Sequence, residues 1–238
     1  MQFSGGNNMK IAVIGAMEEE VILLREEIDS GLATTIAGCE FIEGKIGEHD
    51  IVLVKSGIGK VNAAIATTLL LSNYKPDVVL NTGSAGGFHE SLEVGTVVIS
   101  NEVRHHDVDV TAFGYEHGQV PGQPAAYPAD LGLVDVARAA VEEIGAHAHA
   151  TGLIASGDTF MSNAEHVGKV KETFPLMIAA DMEASAVAQV CHQFGTSFVV
   201  IRALSDIAGK ESSISFDEFL PVAARHSTDI VLKVISKL

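Results

Sequence analysis

Basic side chains are scarce in this sequence: Lys and Arg number 15 against 31 Asp and Glu, for a formal net charge of −16. A surface of that sign repels phosphate backbones, which need a basic footprint, so nucleic acid is excluded as a partner. The charge favours solubility and says little about any site. Cysteine is nearly absent as well. Cys39 and Cys191 stand in unrelated contexts, which excludes a disulfide scaffold and points to reduced thiols in a cytoplasmic protein. No apolar run approaches the roughly 20 residues needed to span a bilayer, so no membrane association is expected. The opening residues MQFSGGNN have neither the basic region nor the apolar stretch of a secretory signal. Ahead of a second methionine, Met9, residues 1–8 read as an expression remnant or a disordered extension. What the chain does have is apolar: 47% hydrophobic against 19% charged residues, a balance that excludes disorder and supplies a buried core.

Short β-branched runs alternate with segments of helical spacing along residues 9–238. "KIAVIGA" reads as a strand and "EEEVILLREEI" as a helix; "EFIEGKI" and "DIVLVKSG" read as strands paired around the turn "GEHD". "GKVNAAIATTLLLSNY" is a helix, "DVVLNTGSAGG" a buried strand running into a glycine-rich turn, and "GTVVISNEV" another strand. Residues 105–128 form a long loop rich in Gly, Pro and aromatics, a length usually reserved for function. Helices over 130–145, 163–173, 184–194 and from about 216 then alternate with strands over 150–156, 176–181 and 197–203. The expected architecture is one three-layer α/β/α domain over 9–238, around a twisted, mostly parallel mixed sheet.

Three strand ends carry polar groups in apolar surroundings: "GAMEEE" (15–20), "NTGSAGG" (81–87) and "IRALSD" (201–206). A fourth cluster, "DMEA", begins at Asp181. Ligands of open α/β sheets bind beyond the carboxyl ends of strands, so these turns can converge on one pocket. Each also has a plainer reading. Glu18, Glu19 and Glu20 suit a helix first turn, Asp181 suits a helix cap with Glu183 behind it, and Asp206 suits a cap or loop acid. Several sharper motifs fail on spacing. "SGIGK" lacks the full phosphate-loop pattern, and "TGSAG" has Thr82 where a nucleophile elbow needs glycine. "HHDVD" offers His105, His106, Asp107 and Asp109 as metal ligands, but nothing else in the chain completes a site, so no metal or other cofactor is expected.

Taken in order, "IGAMEEEV", "KSGIGKVNAA", "NTGSAGG", "DVTAFGYEHGQVPG", "SGDTFM", "DMEASA", "IRALSD" and "SFDEFL" closely resemble the bacterial 5′-methylthioadenosine/S-adenosylhomocysteine nucleosidases. That family lies in the purine nucleoside phosphorylase/uridine phosphorylase superfamily. The resemblance runs from Met9 to the C-terminus. It implies a homodimer that hydrolyses N-glycosidic bonds, releasing adenine and a 5′-substituted ribose from methylthioadenosine, S-adenosylhomocysteine and 5′-deoxyadenosine. Two carboxyl roles suit an oxocarbenium-like transition state. The resemblance assigns Asp206 as the acid toward adenine N7 and Glu20 as the group that activates water. Glu183 holds the ribose hydroxyls, with Met182 packed on the sugar. Where the family commonly has Glu, this chain has the shorter Asp181, whose reading stays with capping.

The same resemblance implies that Phe160 stacks on adenine and that Ser84 and Arg202 order the water and carboxylate network, while Ser205 steadies Asp206. Met17, Ile58 and Phe216 then make an apolar slot for the 5′ substituent, completed by Val110, Phe113 and Pro121 from the neighbouring subunit. Met161 replaces the Ile common after the stacking Phe, a soft exchange. Two alternatives are a phosphate-dependent nucleoside phosphorylase and a non-catalytic nucleoside-binding protein. The first needs an anion site where this chain has "MEEE"; the second needs neither Glu20 nor Asp206.

Overall fold

The computed structural model describes residues 8–210 and 212–238; most of the expected N-terminal extension lies outside the described residues. The first strand, β1 (Lys10–Gly15), is an unbroken apolar run because it is buried on both faces. It lies parallel to β4 (His49–Lys55) on one side and to β5 (Val78–Gly87) on the other. Between them the chain forms α1 (Glu18–Glu26), β2 (Asp29–Ile36) and β3 (Cys39–Ile46), and α2 (Lys60–Asn73) links β4 to β5. Strands β2 and β3 extend the sheet edge as an antiparallel meander. Strand β2 is exposed almost throughout, so its sequence carries no burial alternation and nothing in the apolar pattern announces it.

The remaining strands are β6 (Val97–His105), β7 (Tyr127–Pro128), β8 (His149–Ser156), β9 (Met177–Asp181) and β10 (Ser197–Ile207). They alternate with α3 (Leu131–Ile144), α4 (Ala164–Thr173), α5 (Ala184–Phe194) and α6 (Ser212–Ile235). Helix caps explain the boundaries: the Asp130 carboxylate accepts from Gly132 and Leu133 N–H at 2.9 and 3.1 Å, and α3 ends on left-handed Gly145. Helices α1 and α3 pack with α6, and α2 packs with α5, as the outer layers around the sheet. Beyond its flat half, the sheet curls until it closes on itself. Strand β10 pairs with both β5 and β6, β6 with β8, β8 with β9, and β9 returns to β5 through Gly86 and Gly87. Pairing is parallel across β4, β1, β5 and β10 and across β6, β8 and β9; it is antiparallel between β10 and β6, at the β5–β9 closure and at the edges. Among the described residues, no helix is long and apolar enough to cross a membrane.

Two elements differ from the sequence expectation in ways that shape the site. The glycine-rich segment after Asn81 is not a turn but the end of β5, extended and paired with β10 as far as Gly87. Strand β10 likewise runs on past Ala203 to Ile207, with a register shift between Leu204 and Asp206. One extra residue, Ser205, is bulged there, and a bulge re-aims the side chains beside it.

Candidate active site

The C-terminal ends of β1, β5, β9 and β10 meet at one cavity of about 320 Å³, a size suited to a small ligand. Ala16, Met17 and Glu20 enter it from the β1–α1 junction, Ser84 to Gly86 from β5, Met182 and Glu183 after β9, and Ser205 and Asp206 from β10. Ile58, Phe160, Phe216 and Asp217 complete its mouth. The sequence clusters flagged separately are therefore brought together, although they are far apart along the chain.

Of the three consecutive glutamates only Glu20 points inward, because it shares the buried face of α1 with Val21 and Leu24. Its carboxylate is only 2% exposed. One oxygen accepts from the N–H groups of Ala16 (2.8 Å) and Met17 (3.2 Å), closing the start of α1. The other accepts from the N–H and Oγ of Ser84, both at 3.0 Å. One side chain thus closes the start of its helix and faces the cavity. Glu18 faces outward to Arg25 and Lys55, whose hydrogen bonds hold its carboxyl down at about 2.

Glycines make room for the acids. A Cβ on Gly83 would lie 2.6 Å from Glu20 Oε1 and overlap Arg202 Nη1, and its φ of +140° disfavours any side chain. A Cβ on Gly86 would lie 3.1 Å from Asp206 Oδ2. Asp206 is 2% exposed, and the Ser205 hydroxyl donates to its Oδ1 at 3.0 Å.

Behind the cavity wall sits Arg202, fully buried and absent from the lining. Its Nη2 donates to Asp181 Oδ2 at 2.5 Å and to Asn81 Oδ1 at 3.0 Å, and its Nη1 donates to the Thr82 carbonyl at 2.7 Å. Glu183 Oε2 lies 3.7 Å from the same guanidinium, while the Gly59 N–H donates to Glu183 Oε1 at 2.9 Å. Asp181 does accept the Ala184 N–H, at 3.3 Å, but its strongest ties are to Arg202 and to the Ser156 hydroxyl at 2.5 Å. It is an anchor for the guanidinium more than a helix cap. The N-cap position of α5 belongs to Glu183 itself, whose side chain is free of capping duty. Burial, and then the charges of Asp181 and Glu20, raise the Glu183 carboxyl above the usual range against the pull of Arg202.

Met161 lies with Phe88, Leu153 and Phe174 in a second apolar cluster, and reaches only a narrow extension of the cavity beside Phe160. Phe160 and Phe216 meet edge to face, with centroids 5.7 Å apart. Val110, Phe113 and Pro121 do not line the cavity of their own chain, and Phe113 is 81% exposed. Asp217 at the mouth was missed by sequence reasoning, although it adjoins Phe216; so were Asn81 and Ser156, whose signal is only their position inside "NTGSAGG" and "SGDTFM". The histidines of "HHDVD" hold no metal-like cluster among the described residues. The His105 ring instead bonds Ser185 Oγ and Gln189, at 2.9 and 3.0 Å.

Residues 10–236 match the family model of the phosphorylase superfamily. The 5′-methylthioadenosine/S-adenosylhomocysteine nucleosidase of Lysinibacillus sphaericus is 65% identical over 230 residues, covering 97% of this chain and 100% of the relative. The crystal structure of the corresponding Neisseria meningitidis nucleosidase, in complex with methylthio-immucillin-A, superposes with a TM-score of 0.95. It is 47% identical, with 97% of this chain and 100% of that one covered. The Colwellia psychrerythraea nucleosidase in complex with adenine also gives 0.95, at 50% identity over 98% of this chain and 96% of that one.

Proposed function

Because this chain belongs to the phosphorylase superfamily and, within it, to the 5′-methylthioadenosine/S-adenosylhomocysteine nucleosidases, we propose that it hydrolyses the N-glycosidic bond of these two thionucleosides, and of 5′-deoxyadenosine, to adenine and the 5′-substituted ribose. The observation that carries the hydrolytic reading is that, among the described residues, every charged side chain lining the cavity is acidic: Glu20, Asp181, Glu183, Asp206 and Asp217. A phosphate nucleophile meets repulsion there, whereas water does not. Breaking the bond builds positive charge on the sugar and negative charge on the base. Carboxylates fixed before the reaction stabilise the first without reorganising.

Asp206 gives its proton to adenine N7, with Ser205 holding the carboxyl in place. Glu20 takes a proton from the attacking water. The oxygen offered to that water is Glu20 Oε1, which the Ser84 hydroxyl and N–H hold in place at 3.0 Å. Glu183 accepts hydrogen bonds from the ribose hydroxyls, Phe160 stacks on the base, and Met182 packs on the sugar. Met17, Ile58 and Phe216 form the 5′ slot. The active unit is a homodimer in which Val110, Phe113 and Pro121 cover the neighbouring slot; the exposure of Phe113, Ile58, Val61 and Ile65 supports this.

Adenine release from methylthioadenosine, measured with and without phosphate, tests the reaction. Equal rates and free methylthioribose are expected. Strict dependence on phosphate with a ribose 1-phosphate product sinks the hydrolytic reading. Methylthioadenosine should also have a higher kcat/KM than adenosine, because the slot is apolar; equal values would remove Met17, Ile58 and Phe216 from it.

A further inference from the structure

Two side chains that the reaction leaves unused, Lys60 of "SGIGK" and Asp107 of "HHDVD", meet in the fold. Lys60 Nζ donates to Asp107 Oδ1 at 2.5 Å, the Asp158 N–H donates to Asp107 Oδ2 at 3.0 Å, and the Lys60 N–H donates to Asp158 Oδ1 at 2.8 Å. The first residue of α2 and one residue from each of two loops therefore close a ring of hydrogen bonds. Helix α2 has glycine at its N-cap, with no side-chain cap of its own. Asp158 supplies that cap from a distant loop, at the end of the helix that favours negative charge. Glycine is needed at both crossings: a Cβ on Gly59 would lie 3.2 Å from Asp158 Oδ1, and one on Gly157 would overlap the His106 ring. Burial works to raise the Asp107 carboxyl, but the Lys60 ammonium and the Asp158 N–H hold it below the usual range. The Lys60 and Asp107 side chains keep only 18% and 27% exposure, so this pair is more shielded than an ordinary surface bridge.

What the ring holds is next to the chemistry. Gly59, whose N–H binds Glu183, precedes Lys60, and Phe160 follows Asp158 by two residues. Gly59 has a φ of +98° and no side chain to fix it; its carbonyl accepts the Ala63 N–H at 3.0 Å, and the grip on Lys60 completes its placement. We propose that Lys60, Asp107 and Asp158 form a positioning clasp that aims the Gly59 N–H, and through it Glu183, at the ribose during hydrolysis. This inference rests on the hydrolytic reading of the site. A loosened loop lets Glu183 drift, and small misplacements of a group that acts in the transition state are expensive in rate.

The test is a double-mutant cycle read by single-turnover adenine release from methylthioadenosine. Lys60→Met should lower kcat about tenfold, by misplacement rather than loss of the group, with KM moved less than about threefold and little change in Tm. In a Glu183→Gln background the same substitution should cost less than about threefold, because the residue it acts through is already disabled. Asp107→Asn should reproduce the loss, and the Lys60→Met/Asp107→Asn pair should be no worse than either alone. Asp107→Asn alone carries the test if Lys60→Met fails to fold. An equal fold-loss in both backgrounds, a loss confined to KM, or full activity in Lys60→Met and Asp107→Asn overturns the clasp. A wild type that releases no adenine overturns instead the hydrolytic reading on which it rests.

Discussion

Asp206 and Glu183 show how much a single residue's surroundings decide. Asp206→Asn keeps the size and one hydrogen-bonding oxygen but cannot donate the proton, so turnover should fall by roughly 10²- to 10⁴-fold. Binding of a substrate analogue should survive; turnover within about threefold of wild type, far short of the usual general-acid effect, would return Asp206 to a structural acid. Glu183→Gln should separate activity from stability. The Glu183 carboxyl is raised by folding, so its contribution to stability is fully present below the ordinary glutamate pKa. It is lost as pH rises through the raised folded value. Gln has no such titration. The variant should lose activity yet melt higher than wild type at pH 8, by about 2–4 °C per kcal/mol of relieved repulsion, with a smaller difference at pH 5. The same difference at both pH values would show that Glu183 charge is not what costs stability.

Among the elements, β5 and β10 carry the site. Their last residues break the apolar run with small and polar side chains that make room for buried carboxylates, while Ala85 and Leu204 among them still belong to the core. Gly83 and Gly86 should respond differently to alanine. Gly83→Ala imposes a side chain at φ +140° in contact with Arg202 and Glu20, which should cost roughly 2 kcal/mol or more of stability along with activity. Gly86→Ala meets only the Asp206 carboxylate, at 3.1 Å. It should lower kcat with little change in thermal melting, because the acid is shifted by tenths of an ångström while the core is untouched. Comparable melting losses in both variants would refute this division. Both boundaries of α3 and the end of α5 were legible because the Asp130 cap and the left-handed glycines Gly145 and Gly195 are local chemistry. Exposed β2 was not, since nothing in its sequence records its pairing with β3.

At the scale of the whole molecule, the acidic surface and the long connection from β6 to β7 make separate demands. A net charge of −16 keeps copies apart in general, so association needs a specific apolar patch. Phe113 is 81% exposed, and Ile58, Val61 and Ile65 around the start of α2 are exposed as well, which supplies apolar side chains for such a contact. Phe113→Asp should shift the protein toward monomer in sedimentation and reduce kcat/KM for methylthioadenosine more than for adenosine, because an apolar wall of the 5′ slot is lost. A monomeric variant with full activity would rule out the shared site.

By itself the sequence determined the α/β alternation, the apolar strands and the family, because burial periodicity, caps and motif order are written locally in residue types. It also singled out Glu20, Glu183 and Asp206 through the motifs that carry the family resemblance, although each acid taken alone has a capping or loop alternative. Only the tertiary structure decided what surrounds them: that Glu20 closes its helix and faces the cavity at once, and that Asp181 is bound to Arg202. It also decided that "HHDVD" and "SGIGK" meet through Lys60 and Asp107. The physical reason is range. A cap or a turn depends on neighbours within four residues, whereas the environment of a buried charge is set by groups that the chain brings together from across its whole length.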